Sequence, residues 1–127
     1  MKHTYIAHVN ETTKAEQSVK EHSENTAERS KAYSIPEMAE FNYATGLSHD
    51  IGKYQVSFDR RIHGENIRVE HSTCGALAAA VTYGNCAPLS LMMEYCIAGH
   101  HSGLPDGGFP NDEPDKPTLQ GRMKRKF

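Results

Sequence analysis

Apolar and polar positions along this chain recur with a helical rather than a strand period. Residues 1–11 read as extended or loop. Thr12 or Thr13 then stands as a cap, with Glu16 placed for a capping box, and predicts a helix to about Tyr33. Ala15, Val19, His22 and Thr26 share one face of it, and the rest is Lys, Glu, Ser and Asn. SIPEMAEF opens a second helix, with Ser34 as cap and Pro36 in its first turn. Leu47, Ile51, Tyr54 and Phe58 keep one stripe, so helix continues or resumes to about Ile62, with a bend at Gly52. HGEN, residues 63–66, is a turn. A further helix is predicted from about Glu70 to Tyr83, facing inward through Cys74, Leu77, Ala78 and Val81. After GNCAPL, Pro88 opens a helix to about Gly99 whose face is Leu89, Met92, Met93, Cys96 and then His100. Residues 104–127 are Pro/Gly-rich loop closed by the basic tail RMKRKF. No strand pattern and no internal repeat is visible, so the expected class is all-α.

Composition narrows this picture. The 127 residues fit one domain. A hydrophobic content of 37% allows only a thin core. A net charge of −2 supplies no global basic field, so any nucleic-acid contact has to be local. No apolar stretch approaches the ~20 residues of a membrane span, and the N-terminus lacks a signal-peptide core. A cytoplasmic location without a membrane partner is expected. Three cysteines, Cys74, Cys86 and Cys96, have no CxxC spacing and read as reduced core residues.

The outlier is eight histidines. His22 lies on the apolar stripe of the first helix. His49 and Asp50 end the second. His71 begins the helix that carries Cys74. His100 continues the stripe of the next helix, and His101 follows Ile97 by four. A single inward histidine is an ordinary core residue. So many, with an aspartate, need a common partner, because buried polar groups need partners. A metal centre is that partner, since neutral imidazole and carboxylate are its usual ligands. The absence of thiolates from the set disfavours a structural zinc site and suits Mn, Fe, Co, Ni or Zn, with Mg also possible. Adjacent His49 and Asp50 point ~100° apart on a helix. They can therefore serve two metals, with the Asp50 carboxylate bridging. Paired metals suit phosphodiester cleavage, because they generate hydroxide at neutral pH and clamp phosphate oxygens. Lys53 can hold Asp50 in place or touch a substrate phosphate.

These residues carry a resemblance. The ordered text YIAHVN, SVKEHSENTA, LSHDIGK, VEHSTCGA and IAGHHSGLPDGG, over about residues 5–108, resembles the HD-type nuclease domain of the CRISPR-associated helicase–nuclease of type I systems. The resemblance implies an HD-domain helical bundle with one or two divalent metals. It implies an enzyme that degrades single-stranded DNA opened by an RNA-guided surveillance complex and fed by a superfamily-2 helicase, fused or separate. Carried over, His22, His49 and Asp50 bind one metal. Asp50, His71, His100 and His101 bind the other. Lys53 matches the family's lysine after HD. Ser72 and Ser102 lie in matching text, outside the ligand set. His8 matches an early histidine and is placed outside the site, and His3 and His63 are expected to be solvated. The family closes its site with a later carboxylate on a further helix. Asp106, Asp112, Glu113 and Asp115 lie in loop and do not match it. The chain is thus expected to be the N-terminal part of the domain, truncated on its C-terminal side, with apolar surface left open.

Two basic sets can track a phosphate backbone: Lys53, Arg60, Arg61 and Arg68, and Arg122, Lys124, Arg125 and Lys126. Two other functions stay open, an HD phosphohydrolase acting on nucleotides and a non-catalytic metal-binding fragment that docks to a partner.

Overall fold

Ser18, rather than Thr12 or Thr13, starts the first helix. The computed structural model describes residues 2–127. In it, Asn10 Oδ1 accepts from the backbone N–H groups of Thr12 and Thr13, both at 2.9 Å, and holds them in a turn. The chain doubles back there, and β1 (Ile6–Val9) pairs antiparallel with β2 (Glu16–Ser18). The all-α expectation is therefore corrected to a mostly helical fold with one two-stranded ribbon among the described residues. Strands of four and three residues are too short for a period of two to show. Ser18 and Glu21 carry the same cap signature as Thr13 and Glu16, and Ser18 Oγ accepts from Glu21 N at 3.1 Å. The helix so started is α1 (Val19–Ala32).

A single turn at Pro36–Met38 leads into α2 (Ala39–Ser48), which packs along α1. Gly46 permits the close approach: a Cβ there would stand 2.9 Å from Ala27 Cα and 3.0 Å from the Thr26 carbonyl oxygen. Helix then gives way to a 3-10 turn at Ile51–Tyr54 before α3 (Val56–Ile62). The turn breaks the expected stripe. Leu47, Ile51 and Tyr54 are exposed, and of the four only Phe58 is buried.

α4 (Ser72–Tyr83) and α5 (Leu89–Gly99) pack on each other. Their inner faces are Thr73, Gly75, Ala76 and Ala79 against Ser90, Met93, Ile97 and Ala98. The expected faces are corrected by a rotation: Val81 is 88% exposed, and Leu89, Met92 and Cys96 also face outward. Both helices are apolar nearly all round, so hydrophobicity alone does not choose the inner face; close packing chooses the small residues. Cys86 is exposed as well, and only Cys74 is half-buried, so the cysteines are not core residues.

The last segment is not only loop and tail. Asp112 Oδ2 accepts from Phe109 N at 3.1 Å and Thr118 Oγ1 at 2.7 Å, and the Asp106 carbonyl accepts from Leu119 N at 2.8 Å. These bonds deliver a short helix, α6 (Leu119–Arg122), which seats Leu119 in the core with Ala76, Ala79, Met93, Ile97 and Ala98. Arg122 is 8% exposed and donates to Thr73 Oγ1 and the Ala98 carbonyl, both at 2.8 Å. Arg125 Nη1 reaches both oxygens of Glu70 at 2.8 Å, and Lys124 Nζ caps the Pro110 carbonyl at 2.6 Å. These contacts tie Arg122, Lys124 and Arg125 of the second basic set into the fold. From the first set, Lys53 is buried and Arg60 is paired with Glu65 at 2.7 Å.

Leu119→Ala is expected to cost about 2–5 kcal/mol of unfolding free energy, the range for emptying a core site. Val81→Ala should change stability by less than about 0.5 kcal/mol, as at other surface positions. Urea titration of both variants checks the pair; equal losses would contradict the faces assigned here.

Candidate metal centre

Asp50 is 2% exposed and sits where the ends of several helices meet. His49 caps the C-terminus of α2, and Asp50 follows it. His71 is the residue before α4, and His100 caps α5. His22 projects from α1. The predicted set is therefore brought together: His22, His49, Asp50, Lys53, His71, His100 and His101 surround one point. His22 and His49 place Nε2 3.1 Å from Asp50 Oδ2, and His71 and His100 place Nε2 3.3 Å from Oδ1. Asp50, His71, His100 and His101 each offer a donor atom, all within 4.8 Å of one another.

Helix ends orient the rings. His49 Nδ1 donates to the Gly46 carbonyl and His100 Nδ1 to the Ile97 carbonyl, each at 2.6 Å. Because these carbonyls only accept, Nδ1 carries the hydrogen and Nε2 of the neutral ring presents a lone pair to the centre. This is the usual outer bond of a metal-ligating histidine. The lone pairs face other electron-rich atoms. His71 Nε2 stands 2.7 Å from His101 Nε2, and His22 Nε2 stands 3.1 Å from His49 Nε2. Asp50 Oδ1 is buried with no hydrogen-bond partner. Imidazole nitrogens and a carboxylate converging this closely fit a divalent cation, and no cysteine joins them among the described residues.

Protons do not resolve the convergence equally well. Burial, then the neighbouring His100 and His71, hold His101 below its ordinary pKa. Burial also lowers His22, even against the pull of Asp50. For His49 burial acts downward too, but the hydrogen bond and charge of Asp50 outweigh it and raise the ring. Burial would raise Asp50, yet the facing imidazoles of His100, His49 and His71 hold it far below the usual carboxylate range. The carboxylate thus stays ionised, while burial draws His22 and His101 toward the neutral form.

Comparison with known proteins adds no identity: no protein-family model, curated protein or solved structure matches the chain.

His8 is the residue sequence reasoning missed. It forms a second candidate set with His22 and Asp50 and stacks edge-on to His22, with ring centres 4.6 Å apart. A strand position carries no helix face to mark it, and only the text YIAHVN hinted at it. Ser72 stays outside the ligand set, accepting from Arg122 Nη2 at 3.2 Å. His3 and His63 lie away from the centre at the surface, around Asp59. His71 and His101 also line a cleft of ≈ 840 Å³ whose walls include Arg68, Asp106, Arg122 and Arg125.

Gly52 fixes His71. A Cβ there would overlap the His71 carbonyl. Gly52→Ala should therefore shift His71 and weaken metal binding about 10–100-fold, as disturbing ligand orientation does, in a calorimetric titration with Mn²⁺. Imidazole binds metal only in its neutral form, so loading weakens as pH falls through the imidazole range near ~6.5. Metal content after dialysis at stepped pH checks this; constant content down to about pH 5, below the unperturbed histidine pKa, would contradict it.

Proposed function

We propose that the chain is a metal-dependent phosphodiesterase, a nuclease of the HD type built on an HD-domain helical bundle, that hydrolyses single-stranded DNA. One observation carries the reading: a buried carboxylate with an unpartnered oxygen, faced by imidazole nitrogens from separate helices. The order of those residues in LSHDIGK, VEHSTCGA and GHHSGLPDGG supplies the substrate class by resemblance.

Bound divalent metal supplies Lewis acidity and lowers the pKa of a coordinated water toward neutrality. The chain's own residues do the positioning. Asp50 turns one oxygen toward His71 and His100 and the other toward His22 and His49. His49 and His100 are held by carbonyls, so their donor atoms are aimed before substrate arrives. The cleft beside His71 and His101 is the approach for a phosphate, with Arg68 on its wall. In this proposal a superfamily-2 helicase and an RNA-guided complex deliver the strand.

A second reading, a metal-binding module that docks to a partner, is favoured by the outward Val81 beside Cys74, Leu77 and Ala78, an apolar strip on α4.

Purified protein should hold a first-row transition metal. Asp50→Ala and His100→Ala should each lose it, measured by elemental analysis of folded protein. With Mn²⁺, Co²⁺ or Ni²⁺ it should cut single-stranded DNA in preference to duplex. Hydrolysis of free nucleotides but not DNA would move the assignment to a nucleotide phosphohydrolase. Metal retained without cleavage of either would favour the docking module.

A further inference from the structure

The two oxygens of Asp50 are not equivalent. Oδ1 has no hydrogen-bond partner and faces His71 and His100. Oδ2 already holds a cation: Lys53 Nζ stands 3.0 Å away. Lys53 is 3% exposed, so this ammonium lies inside the site and not at its rim. A bulge in β1 prepares its seat. The ribbon's register slips between Ile6 and His8, which leaves Ala7 unpaired opposite β2. The Ala7 carbonyl lies 3.4 Å from Lys53 Nζ, and His8 Nε2, next along the strand, lies 3.3 Å from it. Asp50 is the only carboxylate paired with Lys53 among the described residues. The ammonium thus occupies the space between Asp50 Oδ2 and His8, where His8, His22 and Asp50 would otherwise hold a metal.

We propose that Lys53 is a resident cation that reserves the Oδ2 side, so that the chain holds one divalent metal tightly on Asp50, His71, His100 and His101. A second metal binds only weakly, on His8, His22, His49 and Oδ2, because it must expel Lys53. This rests on the metal-centre reading above and assigns His8 as a ligand. Expelling Lys53 breaks a buried ion pair and brings a further positive charge beside the first metal, so the second affinity is expected to be at least about 100-fold weaker.

The test is Mn²⁺ titration by calorimetry, with metal counted per chain after desalting and folding checked by circular dichroism. Wild type should keep one Mn²⁺ and show a separate weak second step. Lys53→Met should keep two and give the electron paramagnetic resonance signal of a coupled pair. Lys53→Arg, which keeps the charge, should stay at one. His8→Ala in the Lys53→Met background should return the count to one. Should Lys53→Met fail to fold, His8→Ala alone decides, since it should abolish the weak step and spare the tight one. Two equal tight steps in wild type, a folded Lys53→Met that keeps one metal, or a weak step untouched by His8→Ala overturns the assignment of Lys53 and His8. Those outcomes leave the metal centre standing, whereas folded wild type that binds no Mn²⁺ overturns the metal centre itself.

Discussion

A carboxylate taken out of water must be surrounded by charge or by donors, and Asp50 has been taken almost entirely out of water. The fold follows from this constraint. α1 contributes His22, the end of α2 contributes His49, the following 3-10 turn contributes Lys53, and α4 and α5 contribute His71 and His100. Most of these groups stand at a helix boundary, where the chain can turn a side chain inward without a long apolar stripe behind it. Backbone carbonyls freed at the helix ends take the outer nitrogens of His49 and His100, so the same ends that would need capping aim the rings.

Much of this site was legible in the sequence because a polar residue on an inward face needs an explanation. His22, His49, Asp50, His71 and His100 were marked by position alone. The faces of α4 and α5 were not legible. Leu77 and Val81 outweigh Ala76 and Ala79 in any hydrophobic pattern, yet the small residues are the ones buried. The reason lies in another part of the chain: Gly75 sits under Ile97 and the His49 carbonyl, and only a small-residue face lets α4 come that close. Register between helices is a tertiary fact, and a single helix does not carry it.

The C-terminal segment shows the same limit in charge. Arg122 and Arg125 read as a basic tail for phosphate, but they are held by Glu70, Thr73 and the Ala98 carbonyl. Partial burial would raise Glu70, while Thr73 and Arg125 hold its carboxyl below the ordinary range. Glu70 immediately precedes His71, so the segment that seats Leu119 also steadies a candidate metal ligand. Composition counted those cations as available, and the fold has already used them.

The centre also bears on how the chain holds its shape. The core around Ile97 is small and rich in alanine, whereas the polar centre joins elements that share little apolar contact. Without a cation, His71 Nε2 and His101 Nε2 stand against each other, and Asp50 Oδ1 has no hydrogen-bond partner. A cation that binds the folded arrangement and finds no such arrangement in the unfolded chain stabilises the fold by RT ln(1 + [L]/Kd), where [L] is the free cation concentration. Lys53 meets part of that demand from within the chain, on one oxygen only. The other oxygen has no such partner, so the unmet part of the demand falls where His71 and His100, at the ends of α4 and α5, come against the end of α2.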